Sequence, residues 1–197
     1  MQKTIFLTYD DGPNEPYTSE LLKVLADNDV KATFFVCGKN IEKFPQSIKH
    51  EVEQGHAIGI HTYTHSKFKV LLGMLADEIQ NTSRLIEQHA GMRTTLYRSP
   101  WGVTAPWLKA KLKKMELRTF HWDIAAYDWW QPSADYIATS VVKQAFPGAI
   151  ILLHDGNQIL GGNRQNTIEA SKILIPELKK QGYQFLTLDH YSGKKVS

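Results

Sequence analysis

Lys3-Thr4-Ile5-Phe6-Leu7-Thr8-Tyr9-Asp10-Asp11-Gly12-Pro13 is an apolar run that breaks into two carboxylates, a glycine and a proline. Its first part, Lys3–Thr8, reads as a buried strand rich in β-branched and aromatic residues. The break that follows decides between two folds. An open doubly wound sheet that binds nucleotides normally leaves its first strand through a glycine-rich phosphate loop. Adjacent Asp10 and Asp11 at that turn would repel phosphate, which favours the other parallel architecture, a closed or irregular β/α barrel.

Outward from this turn, strand-like and helix-like patterns alternate to the end of the chain. Further strands are expected at Lys31–Val36, His56–Ile60, Thr94–Tyr97, Leu117–Ile124, Ala149–Leu153 and Gln184–Leu188. Helices are expected at Glu15–Asn28, Pro45–Gln54, Met74–Ala90, Pro106–Met115, Ser133–Phe146 and Arg164–Gln181, several bounded by an early proline or a following glycine. Strands separated by helices imply parallel pairing through right-handed crossovers. In both parallel architectures the reactive site lies beyond the carboxyl ends of the strands.

The composition narrows the function classes. The chain has 197 residues, 42% of them hydrophobic and 22% charged, so it can bury a core and is not a disordered segment. A net charge of +3, from 23 Lys and Arg against 20 Asp and Glu, is too small and too evenly spread for nucleic acid. Apolar runs such as Ala149–Leu153 are far shorter than a membrane span. Cys37 is the lone cysteine, so there is no intrachain disulfide and no thiolate metal cluster; a buried apolar role is expected for it. Met1-Gln2-Lys3 leads straight into a strand without an export-type apolar helix. As written the chain reads as cytoplasmic, or as extracytoplasmic if it is a trimmed exported form. The Lys194-Lys195 tail is expected to fray.

Polar residues gather just past the strands: Asp10 and Asp11, His61 and His65, Arg98, Asp123 and Asp128, and His154. A β/α layer would bring them to one rim. His61-Thr62-Tyr63-Thr64-His65 is a candidate metal pair. On a continued strand its imidazoles would lie ~13 Å apart; on a helical turn, i and i+4 side chains are ~5–6 Å neighbours. Asp10 or Asp11 can supply a third ligand, completing a catalytic zinc-type set that also suits Fe(II). Taken alone, such a histidine pair is more often a surface or capping feature. On extended backbone the two aspartates point to opposite sides, so that one can bind metal while the other faces substrate.

These residues resemble the motifs of the polysaccharide deacetylases, the NodB homology domain or carbohydrate esterase family 4. Thr8-Tyr9-Asp10-Asp11-Gly12 resembles the first motif, and His61-Thr62-Tyr63-Thr64-His65 the H-[ST]-x-x-H motif. Arg98-Ser99-Pro100-Trp101-Gly102 resembles R-x-P-aromatic-G, and Leu152-Leu153-His154 resembles L-x-H. Ala32-Thr33-Phe34-Phe35-Val36 with Gly38 is similar to the family's second strand, and the match runs in order over residues 3 to 190. The resemblance implies one NodB-like domain over 1–197, a distorted (β/α)7 barrel. It also implies removal of acetyl groups from N-acetylated carbohydrate such as chitin or peptidoglycan. Asp11, His61 and His65 would hold a divalent metal, expected to be Zn2+, with Co2+, Ni2+ or Fe2+ as alternatives. Asp10 would be the general base, Arg98 its anchor, His154 the general acid, and the Trp101 backbone N–H part of the oxyanion hole. Trp129 and Leu152 would wall the acetyl pocket. The partner implied is a carbohydrate substrate for a monomeric enzyme.

The fourth family motif, D-x-x-D-W, is incomplete: Ala125-Ala126-Tyr127-Asp128-Trp129 has Ala125 where the first Asp is usual. On the reading that this missing carboxylate orients the acid histidine, His154 should hold its proton loosely, with reduced turnover or an acid-shifted optimum. Asp123, on the same strand face, could partly substitute. The remaining Asp128, with Tyr127 and Trp129, is expected among the substrate-binding groups; Trp130 could stack on sugar as well. Trp107, Phe34, Phe35 and Phe120 are expected in the core, and His50, His56, His89, His121 and His190 at the surface or as caps. Three rival readings remain at this point. One is a carbohydrate-binding relative that has lost hydrolysis. Another is the same barrel acting on acetylxylan or another amide such as a cyclic imide. The last is an Fe(II) oxygenase.

Overall fold

The computed structural model describes residues 3–157 and 162–193; the Lys194-Lys195 tail lies outside them. β1 (Lys3–Asp10) is the central strand, and all but its first two residues are buried. Its side chains alternate. Ile5, Leu7 and Tyr9 join the large core beneath the helices, while Phe6 belongs to a second cluster with Phe35, Ala57, Leu96, Phe120, Ile150 and Leu188 inside the curl of the sheet. Thr8 and Asp10 follow Phe6 on that inner face, so the interior turns polar toward the strand's carboxyl end.

All pairings are parallel. β2 (Thr33–Val36) and β7 (Ile150–His154) flank β1, and the sheet continues through β3 (Ala57–Ile60), β4 (Leu96–Tyr97) and β5 (Arg118–Thr119) on one side and β6 (Ile124–Ala125) on the other. β8 (Tyr183–Phe185) pairs the start of β1. The register places Asp10 opposite His154 and Tyr9 opposite Phe34. The result is a curled, distorted barrel with a seam between β5 and β6.

The seam corrects the expectation of one strand over Leu117–Ile124. After Phe120 N–H donates to the Tyr97 carbonyl, the chain leaves β4's side. It docks on β7 again at Asp123, whose N–H and carboxylate bond the carbonyl and N–H of Ile150. Apolar alternation persisted across the crossing because Phe120 and Ile124 are both buried, one on each side of the gap.

The helices cover the outside: α1 (Tyr17–Asp27), α2 (Gly38–Lys43), α3 (Pro45–Glu53), α4 (Lys67–Leu71), α5 (Ala76–Ala90), α6 (Pro106–Lys114), α7 (Ala134–Gln144) and α8 (Gln165–Lys180). α5 ends at Gly91 in the left-handed region (φ 67°), as a C-terminal glycine allows. Ser133 caps α7 by accepting the Tyr136 N–H. α2 and α4 were not expected, because neither is long enough to show a helical period. Trp107 is 56% exposed rather than core, and His56 is buried rather than superficial, its Nδ1 accepting the Ala32 N–H at 3.2 Å. No helix among the described residues is long and apolar enough to cross a membrane.

Gly59 leaves room for the barrel's inner packing. A Cβ there would meet the Phe35 ring at 2.4 Å, and that ring carries the Arg98 guanidinium 4.1 Å from its centroid. Gly59→Ala should therefore lower stability by about 1–3 kcal/mol, the cost of overpacking. Thermal unfolding checks this; an unchanged midpoint would mean that the ring yields freely.

Candidate metal and catalytic site

The two carboxylates after β1 do not diverge as extended backbone would have them. Asp11 turns into the left-handed region (φ 72°), held by its N–H on the Phe35 carbonyl and by Asn40 Nδ2 on its own carbonyl. Both side chains therefore face one cavity: His61 Nε2 lies 3.7 Å from Asp10 Oδ2 and 3.4 Å from Asp11 Oδ1.

The expected helical turn over His61–His65 is instead a non-helical loop with Thr62 (φ 67°) and His65 (φ 53°) left-handed. This brings the two imidazole centroids to 4.9 Å. Glu78, buried on α5, holds the loop by accepting the N–H groups of Tyr63 and Thr64 and the Thr64 hydroxyl. Burial acts to raise the Glu78 pKa, and the Lys69 and Thr64 contacts more than offset it. Sequence reading missed Glu78; its acid on the buried face of an amphipathic helix was the available signal.

Asp11, His61 and His65 each offer an atom within 4.8 Å of the others. Three features fit a cation here. Asp11 Oδ1 is buried with no hydrogen-bond partner and sits 3.4 Å from His65 Nε2. His61 Nδ1 donates to the Arg98 carbonyl at 2.9 Å, leaving Nε2 aimed at the cavity, as an oriented ligand requires. Burial holds the His65 pKa down to about 4, in the neutral form that ligates. Burial opposes ionisation of Asp11, but the adjacent His61 and His65 imidazoles keep its carboxyl well below the usual carboxylate range. The donor set supports a divalent metal.

Arg98 is fully buried. Its Nη1 donates to Asp10 Oδ1 at 2.6 Å and to Thr8 Oγ1 at 2.8 Å, while Nε and Nη2 reach the Phe120 and His121 carbonyls in the seam. One residue thus fixes Asp10 through its side chain and His61 through its backbone.

His154 ends β7, and its Nδ1 is 2.8 Å from Asp128 Oδ1; Asp128 Oδ2 accepts the His154 N–H and the Thr167 hydroxyl. Burial lowers the imidazole pKa, yet the adjacent Asp128 carboxylate raises it to about 9. This corrects the reading of Ala125. Ala125 does not leave His154 without a carboxylate, because Asp128, which follows the left-handed Tyr127 (φ 55°), partners its Nδ1. Ala125 itself pairs with Leu152, below the level of the imidazole. Asp128 is accordingly not a substrate-facing group: it is 1% exposed with both oxygens engaged.

A cleft of about 480 Å3 opens over these groups, lined by Asp10, Asp11, His61, His65 and His154 with Trp101, Trp129 and Leu152. The left-handed Trp101 (φ 54°) lays its ring 4.3 Å from that of His65, and Trp129 meets His154 edge-on at 5.4 Å. Tyr127 does not reach the cleft but stacks on Trp130. Trp122, Asn157 and Arg164 line it without having been expected. Asp11, Thr62, His65, Trp101 and Tyr127 are all left-handed non-glycine residues, a concentration of strain typical of functional rims.

A parallel barrel with an aspartate and two histidines at the strand ends, backed by a separate carboxylate and an imidazole pair, has the layout of a metal-dependent hydrolase. The profile of the polysaccharide deacetylase family matches residues 1–120, and the chain belongs to that family. It is 37% identical over 188 residues to a peptidoglycan-N-acetylglucosamine deacetylase of Bacillus cereus, covering 93% of this chain and 66% of that protein. It is 34% identical over 191 residues to a chitooligosaccharide deacetylase of Bradyrhizobium, covering 92% and 87%. A crystal structure of a polysaccharide deacetylase from Bacillus cereus superimposes with a TM-score of 0.90 at 31% identity, covering 100% of this chain and 97% of that one.

Proposed function

We propose that the chain removes N-acetyl groups from N-acetylglucosamine-containing polymers or oligomers, of the peptidoglycan or chitooligosaccharide kind. In this reading residues 1–197 act as one monomeric catalytic domain with Zn2+ held by Asp11, His61 and His65. The observation that carries it is the convergence of Asp10, the Asp11–His61–His65 cluster and the Asp128-backed His154 on one cleft.

A divalent ion held by Asp11, His61 and His65 would supply Lewis acidity toward the acetamide carbonyl and the attacking water. Asp10, anchored by the Arg98 guanidinium, accepts the proton of the attacking water. The Trp101 backbone N–H stabilises the oxygen that gains charge. His154, kept protonated at neutral pH by Asp128, delivers a proton to the departing amine, without which an amide nitrogen leaves poorly. Trp129 and Leu152 enclose the acetyl methyl and exclude water. The likeness to the Bacillus and Bradyrhizobium deacetylases supports the substrate class.

The test is acetate release from chitooligosaccharides, peptidoglycan and acetylxylan. Release from the first two, lost on dialysis against a chelator and regained with Zn2+, is the expected result. Release from acetylxylan alone, or activity indifferent to chelation, would overturn the reading.

A further inference from the structure

Beside the catalytic mouth lies an apolar surface that the chemistry above does not use. Three residues past His65, Phe68 projects from α4 at 69% exposure, followed by Leu71 at 63%, Leu72 and Met74. Gly73, between the last two, is covered by a ring from another element: a Cβ there would lie 1.5 Å from Trp107 Nε1. Trp107 therefore joins these side chains to the start of α6, and Trp101, half-exposed against His65, sits at the edge nearest the cleft. Isolated exposed apolar residues need no explanation; a contiguous group of large ones does.

The exposed charge around the group is mostly basic, with Asp77, three residues beyond Met74, as an exposed acid. α6 reads Pro-Trp-Leu-Lys-Ala-Lys-Leu-Lys-Lys, without an acid. Leu108 and Leu112 face inward, which puts Trp107, Lys111 and Lys114, spaced i, i+4 and i+7, along one exposed flank. Lys67 is exposed at the start of α4; of the two acids in the first turn of α5, Asp77 is exposed and Glu78 is buried and engaged with Lys69, so the exposed lysines outnumber the acids.

We propose that this face docks on an anionic lipid bilayer, with Phe68, Leu71, Leu72, Met74 and Trp107 entering the interface and the lysines meeting the headgroups. Aliphatic tips with a tryptophan and a basic flank are the composition of interfacial membrane anchors. A sugar platform would instead present flat rings among hydrogen-bonding groups. A second copy packed about a two-fold axis would set the same lysines against one another. Docking here would hold the cleft mouth beside the membrane, within reach of glycan attached to or emerging from it.

The test is co-sedimentation of the full chain with vesicles of mixed phosphatidylcholine and phosphatidylglycerol, and with phosphatidylcholine alone. The expected result is pelleting with the mixed vesicles that weakens as salt is raised and is slight with the neutral ones. Phe68→Ser/Leu71→Ser/Met74→Ser and Lys111→Glu/Lys114→Glu should each weaken partitioning about tenfold or more. Both variants should keep the wild-type melting midpoint and acetate release from soluble chitooligosaccharide. Absence of pelleting, or equal pelleting of wild type and both variants, would overturn the proposal. So would a concentration-dependent dimer abolished by the apolar variant, which gives the face to a second copy. Retention on an anionic polysaccharide without vesicle binding would give it to a polymer and equally overturn the proposal.

Discussion

Asp128→Asn should lower kcat for acetate release by about 10²–10⁴-fold, the range associated with losing or misorienting an acid–base group. It should also move the alkaline limb of the pH–rate profile to lower pH. The amide preserves the size of the side chain but withdraws the charge that offsets burial of His154, whose pKa stands raised to about 9. An acid catalyst works below its pKa and fails as pH rises through it. With the carboxylate gone, the imidazole falls back toward its unperturbed value near ~6.5, and the active window closes earlier. The substituted amide also cannot reproduce all the contacts: one Asp128 oxygen accepts both the His154 N–H and the Thr167 hydroxyl, while the other meets the ring. Parallel profiles of wild type and variant decide the matter; coincident alkaline limbs would remove Asp128 from its assigned part.

Arg98→Met is expected to be the most damaging substitution for stability. The guanidinium is fully buried against Asp10, and both side chains are almost wholly shielded from water. Removing one partner of such a pair leaves a buried charge uncompensated, at a cost of about 3–5 kcal/mol. For a chain of this size that corresponds to a fall of about 6–20 °C in the melting midpoint. The Phe120 and His121 carbonyls and Thr8 Oγ1 lose a donor at the same time. Arg98→Lys keeps the charge but reaches fewer acceptors, and it should recover part of the loss in calorimetry while leaving acetate release impaired. A melting midpoint for Arg98→Met within a degree or two of wild type would show that the seam closes without the guanidinium.

Much of the architecture was legible because local pattern and burial agree. The run Ile150–Leu153 is apolar throughout, and a strand buried on both faces must be. Asp10, Asp11, His61, His65, Arg98 and His154 stood out as polar residues immediately beyond such runs. What escaped depended on contacts between distant segments. The crossing from Phe120 to Asp123 has the alternation of a strand, and nothing local tells which neighbour it pairs. The service Asp128 gives to His154 depends on left-handed backbone at Tyr127, a residue type that rarely advertises it. Two extended aspartates predict opposite faces, and one unusual dihedral at Asp11 reverses that. Arg164 and Trp122 reach the cleft from a helix start and from the seam, positions without a motif of their own.

The gap between β5 and β6 divides the labour of the cleft walls. Asp10 and His154 stand on neighbouring strands locked by continuous backbone pairing, whereas Trp122 hangs from the segment that crosses between the sheet's two free margins. The Trp122 wall is thus held by the Arg98 guanidinium on the Phe120 and His121 carbonyls in place of strand pairing, so its position depends on the same side chain that anchors Asp10.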